Sequence, residues 1–535
     1  MKSPALLLLA ALLFTARAGA ETYFTGALSD RWEVGGNWSS GVPSGGESGY
    51  IDNGSTVRVI TRENYADWIV GGDSFGGGLT VEANGFLQSY VGIFGYGPGA
   101  TGSLKVSGAG SEFATTGNLY VGYDGTGSLM LEHGGKVRNS SALLGYDAGA
   151  VGTASVSGAG STWEMSGTLT IGLFGSGALT ISDGATVAGG FATTLGAFAG
   201  GSGALTLNGT AGARGLLLTG EVSKGDGSGL LTFNGGVLQA QTDSDQFVSG
   251  FASGQVTVAS GGAFFDSQGF AIGLRSELSG PGALTKIGLG TLTIHTGNTY
   301  TGGTLVSAGQ VEMRNTSGSA FGSGPVTVAA GATLFGGGSF SGSVQVDGTF
   351  SPGSLVGTAH TGSATWNSGG KYRWEIDSLS GAAGADPGWD LWNINGSLNI
   401  AASGAPFTLA LVTFTPGQEP GLLTGFDASQ ARSWTVLTTS LGISGSLGNI
   451  TLDTAGFKNA YTGTFSLGIA GNNLVLNYVP IPEPSAAAMA LGALLVLGGR
   501  RRAGRRGLDI ARGCRETGDC AASLGRGHRS NQCCQ

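Results

Sequence analysis

The feature that most constrains this chain is a glycine-led motif returning at nearly constant intervals. Gly102-Ser103-Leu104-Lys105-Val106 recurs as Gly127-Ser128-Leu129-Met130-Leu131, Gly152-Thr153-Ala154-Ser155-Val156, Gly177-Ala178-Leu179-Thr180-Ile181 and Gly203-Ala204-Leu205-Thr206-Leu207, with leading glycines 25, 25, 25 and 26 residues apart. A double period lies over it: Val106 to Phe113 returns 50 residues on as Val156 to Trp163, and Leu119-Tyr120-Val121-Gly122 returns as Leu169-Thr170-Ile171-Gly172. Each unit holds short apolar-polar-apolar runs separated by glycine-rich turns, the pattern of strands with one buried face. Glycine at this density excludes helices in the body. A unit this short cannot bury its apolar face alone but can when stacked, which predicts a parallel β-solenoid in which each rung covers the next. Glycine suits the corners, where sharp turns need positive φ. The register predicts Leu179 and Ile181 inward and Thr180 outward.

Composition matters because it has a second reading. Glycine is 105 of 535 residues and charged residues are 11%, yet 40% are hydrophobic. Without a period that mixture would suit a low-complexity chain; the period makes it a folded one. The net charge of -8 hides an asymmetry, since 11 of the 26 basic residues lie before residue 21 or after residue 499. Between 21 and 482 there remain 15 basic and 30 acidic residues. Such a balance argues against nucleic acid and anionic lipid as partners. Cys514, Cys520, Cys533 and Cys534 are the four cysteines, so the long segment before them has no disulfide available.

Both ends read as addresses. Residues 1–20 carry Lys2, an apolar run from Ala5 to Phe14 and Ala18-Gly19-Ala20, with Ala18 and Ala20 as the small residues of a signal-peptidase site. This predicts Sec-type export and a mature chain from Glu21. Near the other end stand Pro482-Glu483-Pro484, a short apolar segment over 485–499, and Arg500, Arg501, Arg502, Arg505 and Arg506. The segment is shorter than the roughly 20 residues that span a bilayer with ease. The arginines orient it with their side in the cytoplasm. This order resembles the PEP-CTERM sorting signal over 479–506. The resemblance implies cleavage by an exosortase-type transpeptidase in an exopolysaccharide-producing Gram-negative bacterium, after transient anchoring in the inner membrane through 485–499. An ordinary C-terminal anchor is the alternative, and it too exports the body. Residues 507–535 read as a disordered tail or an extension outside the family pattern.

Between the ends the chain divides further. Residues 21–78, with Trp32, Asn37-Trp38-Ser39 and short strand-like runs, predict an N-terminal β cap whose aromatics cover the first rung. The Asn-Trp-Ser pattern resembles the opening of many exported proteins with autotransporter-type repeats. The solenoid is expected over 79–360. Within it, Gly280-Pro281-Gly282-Ala283-Leu284-Thr285-Lys286-Ile287-Gly288 through Gly302-Gly303-Thr304-Leu305-Val306-Ser307-Ala308-Gly309 resembles the autotransporter-associated β-strand repeat, at 280–309. That resemblance implies a right-handed parallel β-helix displayed at the cell surface. Residues 361–478 are richer in aromatics and acids; runs such as Phe407 to Phe414 and Trp434 to Thr438 predict antiparallel strands closing the solenoid.

Glu375, Asp377 and Asp390 beside Trp374, Trp389 and Trp392 have the types that glycoside hydrolysis uses, paired carboxylates and stacking rings. The same residues also read as strand-edge charges beside core tryptophans. His133, His295 and His360 are isolated in sequence. Gly71-Gly72-Asp73-Ser74 is similar to a fragment of a calcium-binding nonapeptide repeat but lacks tandem copies, and Asp124 and Asp147 read as turn aspartates bonding their own backbone. The expectation is an all-β chain: a β-solenoid, a small antiparallel region and a C-terminal membrane helix. It would serve as an exported structural or adhesive protein with no cofactor and no metal, its partners the exosortase and an exopolysaccharide. A carbohydrate-active enzyme or carbohydrate-binding protein on the same scaffold is the alternative.

Overall fold

The computed structural model describes residues 20–63 and 65–481. Apart from two short 3-10 turns the regular elements of these residues are all strands, and nearly all of the strands pair in parallel. Rungs stack so that each strand bonds its counterpart one rung earlier and one rung later, an arrangement compatible with a β-helix.

The glycine-led motifs lie on a first face. Thr101–Ser107, Thr126–Glu132, Val151–Ser157, Ser176–Ser182 and Ser202–Thr210 are consecutive neighbours there. Gly102, Gly127, Gly152, Gly177 and Gly203 stand directly beside one another. Leu179 and Ile181 are buried and Thr180 is only partly covered, as the alternation requires. The need for glycine is steric. A Cβ on Gly127 would run into the backbone nitrogen of Gly122, where the chain turns at φ +72° onto this face.

A second face carries Glu112–Thr115, Lys136–Asn139 and Thr162–Met165, and a third carries Leu119–Val121, Ala142–Leu144 and Thr168–Ile171. The inward column of the second face runs Phe113, Val137, Trp163, Val187, Leu217, Leu238, Phe265. It then meets Lys286, which lies between Phe265 and Val306. Lys286 is 0% exposed, and its Nζ donates to the carbonyls of Ile287 and Gly288, both at 2.8 Å, and of Ala308 at 3.3 Å. Burial lowers its pKa to about 8, with Asp266 opposing the shift.

Beyond Leu278–Ser279 the first face loses its strands, and the rungs starting at 284, 304 and 326, so 20 and 22 residues apart, have two strands each, until a third strand returns at Thr358–Thr361 and pairs with Leu391–Ile394. Single backbone bonds now join neighbouring rungs on that side, such as Asn298 N–H to Ser319 at 2.7 Å and Ala320 N–H to Ser339 at 2.8 Å. Asparagine amides complete them. The Asn298 side chain accepts from the Leu278 N–H at 2.8 Å and donates to the Ala320 carbonyl at 2.6 Å. Asn315 bonds the Ser339 carbonyl and N–H in the same way. Buried Tyr300, Phe321 and Phe340 fill the space inside.

The first end is covered by Phe24, Trp32 and Trp38, whose rings meet edge to face at 5.2 and 4.7 Å. Residues 30–32 bond across Thr56–Val59, the first strand of the first face. Ala20 opens the strand Ala20–Tyr23, opposite Glu47.

At the other end the parallel ladders continue past residue 361, through Lys371–Ile376, Phe407–Thr413 and Ile450–Gly456. The run from Phe407, expected to be antiparallel, is therefore parallel. Its inward Phe407 stacks on Trp366 at 4.2 Å, so it is one more rung of the same core. A continuous antiparallel arrangement is confined to Arg432–Thr439, Asn473–Val479 and Thr464–Ala470. The compact unit ends at Pro480. Among the described residues no helix is long and apolar enough to cross a membrane.

Candidate functional site

Glu375 and Asp390 are fully buried and Asp377 nearly so, which corrects their reading as solubilising edge charges. Asp390 ties three segments together. Its Oδ1 accepts from the Gly357 N–H at 2.8 Å and its Oδ2 from the Glu375 N–H at 2.9 Å, while its own carbonyl accepts from Trp374 Nε1 at 2.9 Å. Burial pushes the Asp390 carboxyl well above the usual range, against the pull of Gly357 and Arg373. Glu375 is paired with Arg373. Trp392 is buried, stacked on Phe350 at 3.9 Å, and Trp374 is buried with it; Trp389 is partly buried and donates to the Thr435 carbonyl at 3.1 Å. The tryptophan faces are thus used by the core rather than offered to a sugar.

Asp377 alone of the three borders open space. It lines a cavity of about 680 Å³ together with Ser380, Asp386, Thr424 and Arg432. Its carboxyl is raised by burial and by Asp386, against a 2.7 Å bond from the Gly388 N–H.

The histidines differ from one another. His133 is an exposed turn residue at φ +54° and His360 is exposed. His295, read as solvent-facing, is mostly covered, and its Nε2 lies 2.7 Å from Asp245 Oδ1. At Gly71-Gly72-Asp73-Ser74 the working carboxylate is Asp52, whose Oδ1 accepts from the N–H groups of Asp73, Ser74 and Phe75, each at 2.8 Å. The bend holds a side chain of its own. Among the described residues no three histidine, cysteine, aspartate or glutamate side chains are grouped to hold a metal ion. Ala18, Pro482, Glu483, Pro484, Arg500, Arg501, Arg502, Arg505 and Arg506, the segment 485–499 and the tail 507–535 lie outside the described residues.

The surface that stands out was not singled out from the sequence. On the third face the outward position should be polar. Instead, successive strands place Tyr23, Tyr50, Val70, Ile93, Tyr120 and Leu143 there in register. The column turns polar only at Thr170 and Thr194. Six strands make it roughly 24 Å long at the usual strand spacing. Val91, Ile93 and Tyr120 form an apolar cluster separate from the core, packed against Trp68, Tyr96, Tyr123, Leu143 and Tyr146.

A parallel file runs beside it at the bend that follows each third-face strand. Tyr96, Tyr123 and Tyr146 each follow a glycine of positive φ, Gly95, Gly122 and Gly145, and bond the rung before. Ring centroids are 5.3 Å apart for Tyr96 and Tyr123, and 4.6 Å for Tyr123 and Tyr146, whose planes differ by 16°. Phe174 and Phe198 extend the aromatic strip at 4.8 Å. Asp73 and Asp147 flank it with carboxyls raised chiefly by burial. The sequence signal was the contrast between Leu119-Tyr120-Val121 and its 50-residue counterpart Leu169-Thr170-Ile171.

Comparison with known proteins bears on the middle of the chain. Residues 284–313 match the family described as passenger-associated-transport-repeat, four residues downstream of the bounds read from the sequence. Over 106 residues the chain is 40% identical to the adhesin BmaC autotransporter of Brucella suis biovar 1 (strain 1330), covering 17% of this chain. The chain spans only 3% of that relative's length. An autotransporter-associated repeat and similarity to an adhesin are thus joined in one β-rich body.

Proposed function

We propose that this protein is an exported adhesive scaffold of the cell surface or extracellular matrix, built on a right-handed parallel β-helix. The observation that carries the reading is the aromatic stripe of the third face. Val70, Ile93 and Tyr120 are buried within it, while Tyr23, Tyr50, Tyr96, Tyr123 and Tyr146 reach solvent over them; a solvent-reaching aromatic strip of this kind marks an interaction surface, and this one is held rigid by the rungs beneath it. Similarity to an autotransporter adhesin supports the same reading.

Delivery in this proposal uses the Sec machinery and the signal at 1–20. An exosortase-type enzyme then acts at Pro482-Glu483-Pro484 while 485–499 and the five arginines hold the chain in the inner membrane. An exopolysaccharide is the proposed partner of the stripe. Replacing Tyr123 and Tyr146 together by serine should release the protein from matrix polysaccharide while leaving its strand circular dichroism intact; unchanged retention would overturn the reading. Replacing Pro482-Glu483-Pro484 by alanines should leave uncut protein in the inner membrane. A trimmed product at the surface would end the sorting proposal.

A second reading, a carbohydrate-active enzyme or binding protein, rests on the cavity lined by Asp377, Asp386 and Arg432. Release of reducing sugar from matrix polysaccharide, abolished by Asp377→Asn, would establish it.

A further inference from the structure

The tyrosine file has a chemical property beyond its apolar surface. Seven of the twelve tyrosines lie along this face, Tyr23, Tyr50, Tyr90, Tyr96, Tyr120, Tyr123 and Tyr146, and every cysteine lies after residue 513. The rungs from Ala20 to Pro480 therefore have no disulfide to tie one to the next. Tyr123 and Tyr146 stack at 4.6 Å with planes 16° apart. Tyr23 and Tyr50 repeat the arrangement at 5.0 Å and 23°. Both pairs join neighbouring rungs, and all four rings reach solvent.

We propose that Tyr123 and Tyr146 are an oxidative cross-linking site, joined by a carbon–carbon bond between ring carbons ortho to the hydroxyls. The oxidant is hydrogen peroxide acting through a haem peroxidase, a class of enzyme supplied in trans. Each phenol gives up one electron and one proton and becomes a tyrosyl radical. The two radicals combine at their ortho carbons, and each ring regains aromaticity as its ortho hydrogen passes to the oxygen. One peroxide takes up the two electrons and two protons and leaves as two waters, so the chain loses two hydrogens in all. Near-parallel rings with centroids 4.6 Å apart hold the two radicals side by side, which favours coupling within the chain over escape of a radical to a second molecule. The product is a staple across two rungs in a body without disulfides.

Dilute full-length protein treated with a haem peroxidase and hydrogen peroxide should gain dityrosine fluorescence while remaining monomeric. Proteolysis should yield a linked peptide pair containing Tyr123 and Tyr146, lighter than the sum of its parts by two hydrogens. Tyr146→Phe keeps the ring and its stack but removes the phenol, so the linked pair should vanish. Tyr123→Phe should do the same, which covers the case in which one variant fails to fold. Oxidised wild-type protein should unfold at a higher temperature than the untreated chain, and oxidised Tyr146→Phe should show no such rise. Absence of the linked Tyr123–Tyr146 peptide pair from the oxidised wild-type protein, or links found only between chains, would overturn the proposal.

Discussion

Two stretches of the stack solve the same problem differently. Between Thr101–Ser107 and Val256–Val258 each rung has three strands, and backbone ladders join the rungs on three faces. Between Leu284–Ile287 and Thr333–Gly336 a rung has two strands, and its third side is held by single backbone bonds and the amides of Asn298 and Asn315. The inner volume is conserved by other means, since Tyr300, Phe321 and Phe340 replace the aliphatic residues of the lost strand. Stacking therefore requires filled volume and satisfied backbone groups, not a fixed number of strands. The two solutions differ in how they fail. A ladder spreads its bonds over several residues, whereas an amide bridge concentrates them in one.

The largest effect should come from charge placed inside the three-strand rungs. Leu179→Asp or Ile181→Asp buries an unpaired carboxylate and should lower stability by about 4 kcal/mol or more, while Thr180→Asp should be tolerated. Urea denaturation of the three variants checks this, and equal loss in all three would break the assigned register.

Next comes the corner glycine. Gly127→Ala meets the Gly122 backbone and should remove about 3 kcal/mol by strain. In the two-strand stretch Gly331→Ala, at φ +83° with open space around it, should remove only about 1 kcal/mol. Thermal unfolding of the pair measures how far the longer rungs depend on close backbone approach.

The amide bridge gives a third, smaller contrast. Asn298→Ala orphans the Leu278 N–H and the Ala320 carbonyl and should lower stability by about 2 kcal/mol. Thr257→Ala, on a first-face strand, should change it by no more than about 0.5 kcal/mol. Hydrogen exchange should show faster opening around residues 298–320 in the first variant alone.

The last contrast is one of pH at the junction of the two stretches. The folded pKa of Lys286 is about 8, below the ordinary lysine value of 10.5, so between these values the unfolded chain binds the extra proton. Stability contributed at this site therefore rises with pH across that window, by about 1 kcal/mol over the first unit above pH 8. Lys286→Met should remove that slope. A denaturation midpoint series from pH 7 to 9 on both proteins checks it, and parallel curves would show that the lysine does not change its protonation on folding.

Much of the framework was legible because it is periodic. The spacing of Gly102, Gly127, Gly152, Gly177 and Gly203 gave the neighbours they have in the ladder. The aromatic stripe was less visible, since in Leu119-Tyr120-Val121 an outward apolar residue between two inward ones erases the alternation that marks a surface. Shortening of the rungs showed as a change of flavour after Gly280, but a period alone does not say which side loses its strand. Burial of Asp390 depends on Gly357, 33 residues away, and cover of His295 on Asp245, 50 residues away. Pairings over such distances follow from how rungs superpose, not from local pattern.

The in-register glycines carry a consequence for how such a chain changes over generations. Because Gly102, Gly127, Gly152 and Gly177 occupy equivalent places, duplicating or deleting one 25-residue unit would preserve every kind of neighbour contact. Reach would change by a single strand spacing, about 4.8 Å. The body is thus a ruler whose length can be edited in whole graduations, and the tyrosine file would gain or lose a mark where the edited unit carries Tyr123 or Tyr146.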